Sequence, residues 1–192
     1  MSLPSNKNIT TDLGQNVKSN LIYIILFVAV LMAAVLAAIC LAEGVPGSAG
    51  KPHPEYFGLQ IGGDGAMRLE HLGHLGFLFQ CLLLVQINLL SLLGVPERYR
   101  TQRLLGYMAG SLACMLIVGW KMYFGHQSFL ATQETSYFLG FPEATAWQTY
   151  GTWLSAIPLV LIYSIGFSQF IYSKEDEEKF NALVAEKLAK KR

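Results

Sequence analysis

Four long apolar stretches, separated by polar connections, define the pattern of this chain. They run over Leu21–Leu41, His71–Val95, Leu104–Phe124 and Tyr150–Tyr172. Each has roughly the 20 residues that a helix needs to cross a hydrocarbon core of about 30 Å. The pattern predicts an all-α membrane protein with four transmembrane helices. This transmembrane domain spans residues 21–172, between a polar N-terminal segment (1–20) and a C-terminal tail (173–192).

The composition agrees with a chain whose solvent is largely lipid. Of the 192 residues 53% are hydrophobic and only 14% are charged, whereas soluble domains carry about a quarter charged residues. The net charge of +1 says nothing about nucleic acid, but the sequence has no basic stripe interleaved with aromatics, so we expect no nucleic acid as a partner. The first apolar stretch is longer than the core of a signal peptide, so we expect an uncleaved span.

The basic residues predict the orientation of the spans. Eleven of them lie before span 1, between spans 2 and 3, or after span 4, and three lie in the other connections or near them. Lys and Arg are enriched in cytoplasmic connections. We therefore expect both termini to be cytoplasmic, in a multi-pass protein of the cell inner membrane.

The connections differ in length and character. Two long ones, Glu43–Glu70 and His126–Thr149, are predicted as outer loops, and the short link after Pro96 predicts that spans 2 and 3 form an antiparallel hairpin. The tail has Ser173 as a candidate cap, acidic residues next and basic residues last, which is typical of a helix. A narrow apolar stripe makes this predicted cytoplasmic helix amphipathic.

Two features of the spans predict how they pack. In span 2 the polar or small residues His74, Cys81 and Asn88 recur every seven residues, so they share one helical face that we expect to point into a bundle or a partner subunit. In span 3 Gly106 and Gly110, followed by Cys114, form a small-residue ridge suited to close helix packing.

All four histidines, His53, His71, His74 and His126, fall at the outer ends of the predicted spans or in the outer loops. His71 and His74 belong to the sequence Glu70-His71-Leu72-Gly73-His74, where spacings of three and four place side chains on one side of a helix. Span 3 is the hairpin partner of span 2, so His126 is expected at a matching depth.

Several chemistries fit these histidines. His74 and His126 could ligate a haem b iron between two spans, or His71, His74 and His126 with Glu70 or Glu134 could hold copper, iron or zinc. The imidazoles could instead line a quinone pocket or a proton path. The alternative is that they are structural side chains at the membrane interface, where a polar tip stays wet.

In architecture alone, the chain resembles the accessory subunits of respiratory or photosynthetic assemblies, and this resemblance implies a part in electron transport. No nucleophile paired with a base stands out in the sequence, so we expect a non-catalytic subunit rather than a stand-alone enzyme. The expected partners are lipid and other integral membrane subunits, or further copies of the chain. The alternative function is a small oligomeric transporter or channel that uses the polar stripe of span 2. A third is a membrane enzyme with an outer metal.

Overall fold

The computed structural model describes residues 7–46, 50–63 and 65–190, most of which are helical. The helices, in chain order, are α1 (Lys7–Leu41), α2 (Gly65–Gly94), α3 (Gln102–Thr132), α4 (Glu143–Ala146), α5 (Thr152–Ser164) and α6 (Lys174–Lys190). Shorter helical turns cover Glu97–Tyr99, Trp147–Gly151 and Phe167–Ile171, the last two with π-helical geometry. Two small antiparallel ladders pair β1 (Lys51–Pro52) with β2 (Gln60–Ile61), and β3 (Tyr137–Phe138) with β4 (Phe141–Pro142).

Three helical stretches are long and apolar enough to cross a membrane, namely Asn20–Leu41, Glu70–Gly94 and Gln102–Thr132. By their length and composition they support the membrane-protein class, and they agree with the first three predicted spans. α1 begins at Lys7, so much of the predicted polar segment continues into the first span helix, and residues 1–6 lie outside the described part.

The fourth predicted span is divided. Unlike the first three it is not one long α-helix, because α4, a π-helical turn and α5 follow one another and the helix ends before Gly166. A Cβ atom at Gly166 would clash with the carbonyl oxygen of Ile162, so this bend requires glycine.

α2 and α3 form the antiparallel hairpin that the short link predicts. Phe77 near the start of α2 stacks on Tyr123 near the end of α3, with ring centroids 4.7 Å apart. Further along, the side-chain Nδ2 of Asn88 donates to the backbone oxygen of Met108 over 3.1 Å. α1 also packs against α2.

The fourth segment returns along α3. A Cβ atom on Gly125 would lie 3.8 Å from the Cβ of Ala144, and one on Gly151 would lie 3.0 Å from a methyl of Val118. The π-helical turn at Phe167–Ile171 then closes a small apolar core on α3, formed by Val95, Leu104, Met108 and Phe170. In the most apolar 18-residue segments of α1 and α2 only 6% of the residues are buried, whereas 33% are buried in the corresponding segment of α3. α3 is therefore the central helix.

The predicted outer loop His126–Thr149 was wrong in extent. α3 continues to Thr132, and α4 already begins at Glu143. Polar residues there end the apolar stretch of the sequence, and the end of an apolar stretch does not require the helix to end. Between the helices, Leu139 (φ 48°) and Gly140 (φ 85°) form the two-residue turn that joins β3 to β4. Positive φ at both central residues is the type I′ geometry that matches the twist of paired strands.

Candidate functional site

The predicted histidine cluster lies at one end of the helix bundle. The stacked pair Phe77 and Tyr123 provides a depth reference, because it joins α2 to α3. His74 precedes Phe77 by three residues and His126 follows Tyr123 by three, so each lies about one turn beyond the stack toward the same end. The two histidines have the matching depth that the sequence predicts.

The surroundings of these side chains differ. Glu70, His71 and His74 are exposed, whereas His126 is half-buried with its ring centroid 6.3 Å from that of Phe129. Within the described ranges, no three His, Cys, Asp or Glu side chains come close enough together to hold a metal ion. The metal site therefore gains no geometric support, and the haem pair His74 and His126 stays a prediction.

His53 has a structural contact of its own. Its Nδ1 atom accepts hydrogen bonds from the backbone N–H groups of Glu55 (3.1 Å) and Tyr56 (3.2 Å). The backbone N–H of His53 donates to Leu59 over 2.9 Å, which closes the turn between β1 and β2. An imidazole nitrogen that accepts two backbone hydrogen bonds orients a loop, and these contacts are all within the segment between β1 and β2.

The side chains of the polar stripe on α2 become more buried from His74 to Asn88. His74 is exposed, Cys81 is half-buried and Asn88 is 7% exposed, with its amide bonded to the α3 backbone. Two other polar atoms on these helices, Gln86 Oε1 and Ser111 Oγ, are buried without a hydrogen-bond partner in the part of the chain that the structure describes. The inner end of the stripe thus helps to hold two helices of this chain together.

An aromatic cavity of about 460 Å³ lies near the same end as the histidines, between the β3–β4 hairpin and the helix that begins at Glu143. The hairpin contributes Tyr137 and Phe138, and the helix contributes Trp147 and Tyr150. The rings of Phe138 and Tyr150 meet edge to face at a centroid separation of 6.3 Å. The volume is within the range of small-molecule sites, which are mostly apolar with a few convergent polar groups.

The acidic residue among those that line this cavity is Glu143. Its Oε2 atom accepts a hydrogen bond from Ser136 Oγ over 3.1 Å, and its backbone N–H donates to the Ser136 carbonyl oxygen over 2.9 Å. This pair of contacts fixes the hairpin to the first turn of α4. The salt bridges found among the described side chains do not include Glu143.

At the opposite end of the bundle, charged residues fasten α6 to the α2–α3 link. Arg98 forms an ion pair with Asp176, and the Tyr99 hydroxyl donates to Asp176 Oδ2 over 2.8 Å. Ser173 and Asp176 bond each other's backbone N–H groups, which confirms Ser173 as the helix cap. The Tyr99 hydroxyl, assisted by the Ser173 backbone N–H and Arg98, lowers the pKa of Asp176 to about 2.

Sequence reasoning missed both the aromatic cavity and the contact between Tyr99 and Asp176. Glu143, Trp147, Tyr150 and Leu154 recur at helical spacing, which was a usable sign of one lining face, but it was hidden by the prediction of a loop to Thr149. The contact between Tyr99 and Asp176 joins residues 77 positions apart, and no local sequence pattern predicts it.

Comparison of the chain with family models, with curated proteins and with solved structures finds no match.

Proposed function

We propose that this protein is a small, non-catalytic accessory subunit of a larger integral-membrane complex. The observation that carries the proposal is the direction of the small-residue ridge on α3. Gly106 and Gly110 are exposed, with open space where a Cβ atom would be, and Cys114 on the same face is exposed too. The ridge therefore faces away from the helices of its own chain.

Small residues matter because of how helices associate in lipid. Apolar side chains gain little by leaving lipid for another helix, so close backbone approach supplies much of the attraction. A glycine pair one turn apart, on the exposed face of the central helix, is suited to receive a helix from another subunit. Bulky side chains would serve as well or better against lipid alone.

The total surface supports the same proposal. The chain exposes 14325 Å² at a mass of 21.2 kDa, against roughly 9,000 Å² for a water-soluble monomer of this mass. Much of the excess is apolar side chains on α1, α2, α3 and α5. Lipid covers part of such a surface, and neighbouring subunits are a natural cover for the rest.

We further propose four membrane crossings with both termini in the cytoplasm. The first turn of α6 contacts Arg98 and Tyr99 in the α2–α3 link, while the β3–β4 hairpin lies at the other end of α3. A chain that runs from the hairpin back to the link crosses the same layer that α3 crosses. This course supports a fourth span made of α4, α5 and the turns beside them.

Extraction of the affinity-tagged chain in a mild detergent tests the proposal. We expect larger membrane proteins to co-purify in a fixed ratio, and Gly110→Leu to reduce their recovery at least about tenfold because the backbones can no longer approach. Gly76→Leu is the matched control, since Gly76 on α2 is also exposed with open space around it. A free monomer from native membranes, or equal recovery with both variants, would contradict the proposal.

The hydrogen bond between Asn88 and Met108 favours the subunit over the transporter or channel predicted as the alternative. A pore-lining amide faces water, whereas this one is buried against a backbone carbonyl of the neighbouring helix. Reconstituted vesicles separate the two functions. Ion or solute flux that depends on Asn88, from a pure homo-oligomer, would establish the channel and remove the subunit.

A further inference from the structure

Among the described residues, the aromatic cavity beside the hairpin is lined by one acidic residue and by no basic residue. Four aromatic residues line it, namely the exposed Tyr137 and Phe138 of the hairpin and the half-buried Trp147 and Tyr150 of the helix, and half-buried Glu143 lines it as well. Among the described residues no Lys or Arg pairs with this carboxylate. The cavity therefore offers one negative charge within apolar walls, which is complementary to a cation with apolar substituents.

The arrangement of the rings points to a particular kind of cation. Phe138 and Tyr150 stand nearly perpendicular, at 85°, so the cavity is bounded by ring edges and faces from both the hairpin and the helix. Ring faces attract a cation through their quadrupole, and aromatic cages recognise quaternary ammonium groups in this way. A primary ammonium would need hydrogen-bond acceptors for three N–H groups, and aromatic walls supply few of them.

We propose that this cavity binds a quaternary ammonium group of the choline type, with Glu143 as the counter-charge and Trp147 as the principal ring. The ammonium arrives either as a soluble molecule or as the headgroup of a phosphatidylcholine at the outer interface. The proposal uses only residues of this chain, so it is independent of any partner subunit.

Binding can be measured with the purified full-length chain carrying Trp120→Phe and Trp153→Phe, which leaves Trp147 as the fluorescent reporter. Choline chloride, titrated at constant ionic strength, is expected to give a saturable change in emission. Ethanolamine and the neutral isostere dimethylbutanol are expected to bind at least about tenfold more weakly, because one lacks the methyl groups and the other the charge.

Matched variants test the counter-charge. Glu143→Gln keeps an acceptor for Ser136 and is expected to weaken choline binding about tenfold, while Glu134→Gln, an exposed acid of the same connection, is expected to have no effect. Thermal unfolding verifies that both variants are folded. If Glu143→Gln fails to fold, a choline-induced rise in the melting temperature of the parent chain, absent with dimethylbutanol, still tests whether binding requires the positive charge.

Native mass spectrometry identifies the source of the group. Retention of phosphatidylcholine over phosphatidylglycerol, lost in Glu143→Gln, supports the lipid, whereas binding of choline without lipid retention supports the soluble source. The proposal is overturned if neither form binds, if Glu143→Gln binds as well as the parent, or if ethanolamine or dimethylbutanol binds as well as choline.

Discussion

Asn88 and Gln86 are two residues apart on α2, and their side-chain amides differ in hydrogen bonding. Asn88 donates to the Met108 backbone, whereas the Oε1 atom of Gln86 has no partner within the described structure. Asn88→Leu should lower the free energy of unfolding by about 1 kcal/mol, the typical value of a hydrogen bond between membrane helices. Gln86→Met should cost nothing, because a buried polar atom without a partner is itself unfavourable.

Denaturant unfolding in one detergent measures both variants against the parent. A loss with Gln86→Met, alone or equal to that of Asn88→Leu, would mean that the Gln86 amide makes a favourable interaction in the folded chain, and would contradict the prediction. A hydrogen bond from Gln86 to another subunit would not affect the isolated chain, and would show instead as a lower recovery of that subunit with Gln86→Met in the co-purification experiment.

The histidines provide a second prediction at the residue scale. If His74 and His126 ligate haem b, the gently purified protein has a Soret band, and the band is lost in His74→Ala and in His126→Ala. His53→Ala is the control, because the contacts of His53 are with its own loop and the variant should keep the band. A colourless, metal-free preparation would leave all four histidines as structural side chains of the interface.

At the scale of elements, the fastening of α6 to the α2–α3 link depends on ionised Asp176. This side chain is 13% exposed and meets Arg98, Tyr99 and Ser173. Asp176→Asn should release the first turn of α6, seen as faster hydrogen exchange there. Glu177→Gln, in the same turn but exposed, should leave exchange unchanged. Equal exchange in both variants would show that the contacts of Asp176 do not hold this turn.

The pH dependence of this contact follows from the lowered pKa of Asp176. Because the pKa is about 2 in the folded chain and near 3.8 ordinarily, the carboxylate stabilises docking fully above the ordinary value, and the contribution is lost as the pH falls through about 2. Exchange in the first turn of α6, corrected for its intrinsic pH dependence, should therefore be constant from about pH 5 to 8. A midpoint near pH 6 would implicate another group.

The β3–β4 turn carries a strained residue. Leu139 has a positive φ of 48°, a conformation that costs an ordinary L-residue about 1–2 kcal/mol and that asparagine adopts more easily. Leu139→Asn should therefore raise the melting temperature, and Leu139→Val should lower it because a β-branched residue is worse in this conformation. Since the hairpin covers the aromatic cavity, choline affinity should follow stability. A decrease with Leu139→Asn would mean that the exposed leucine has a contact outside the chain.

At the scale of the whole molecule, the sequence predicted the long apolar helices but not the features formed by residues far apart in the chain. Long apolar stretches must form helices because lipid offers no hydrogen bonds to the backbone, so Leu21–Leu41, His71–Val95 and Leu104–Phe124 were located well. The ends were located less well, because a helix can continue past the apolar stretch of the sequence, as α3 does to Thr132. The cavity and the contact of Tyr99 with Asp176 require a folded chain before their residues meet.

Sidedness is the remaining prediction for the whole molecule, and the fourth segment decides it. In a chain without Cys40, Cys81 and Cys114, single cysteines are introduced by Thr135→Cys beside the hairpin, Gln102→Cys at the start of α3 and Glu186→Cys in α6. An impermeant maleimide should label the first in intact cells and the other two only after permeabilisation. Labelling of both Thr135→Cys and Glu186→Cys from outside would mean three crossings, and the contact between α6 and the α2–α3 link would then have to break in the membrane. Labelling of Gln102→Cys and Glu186→Cys alone would keep four crossings with inverted orientation, and would place the histidines and the aromatic cavity on the cytoplasmic side.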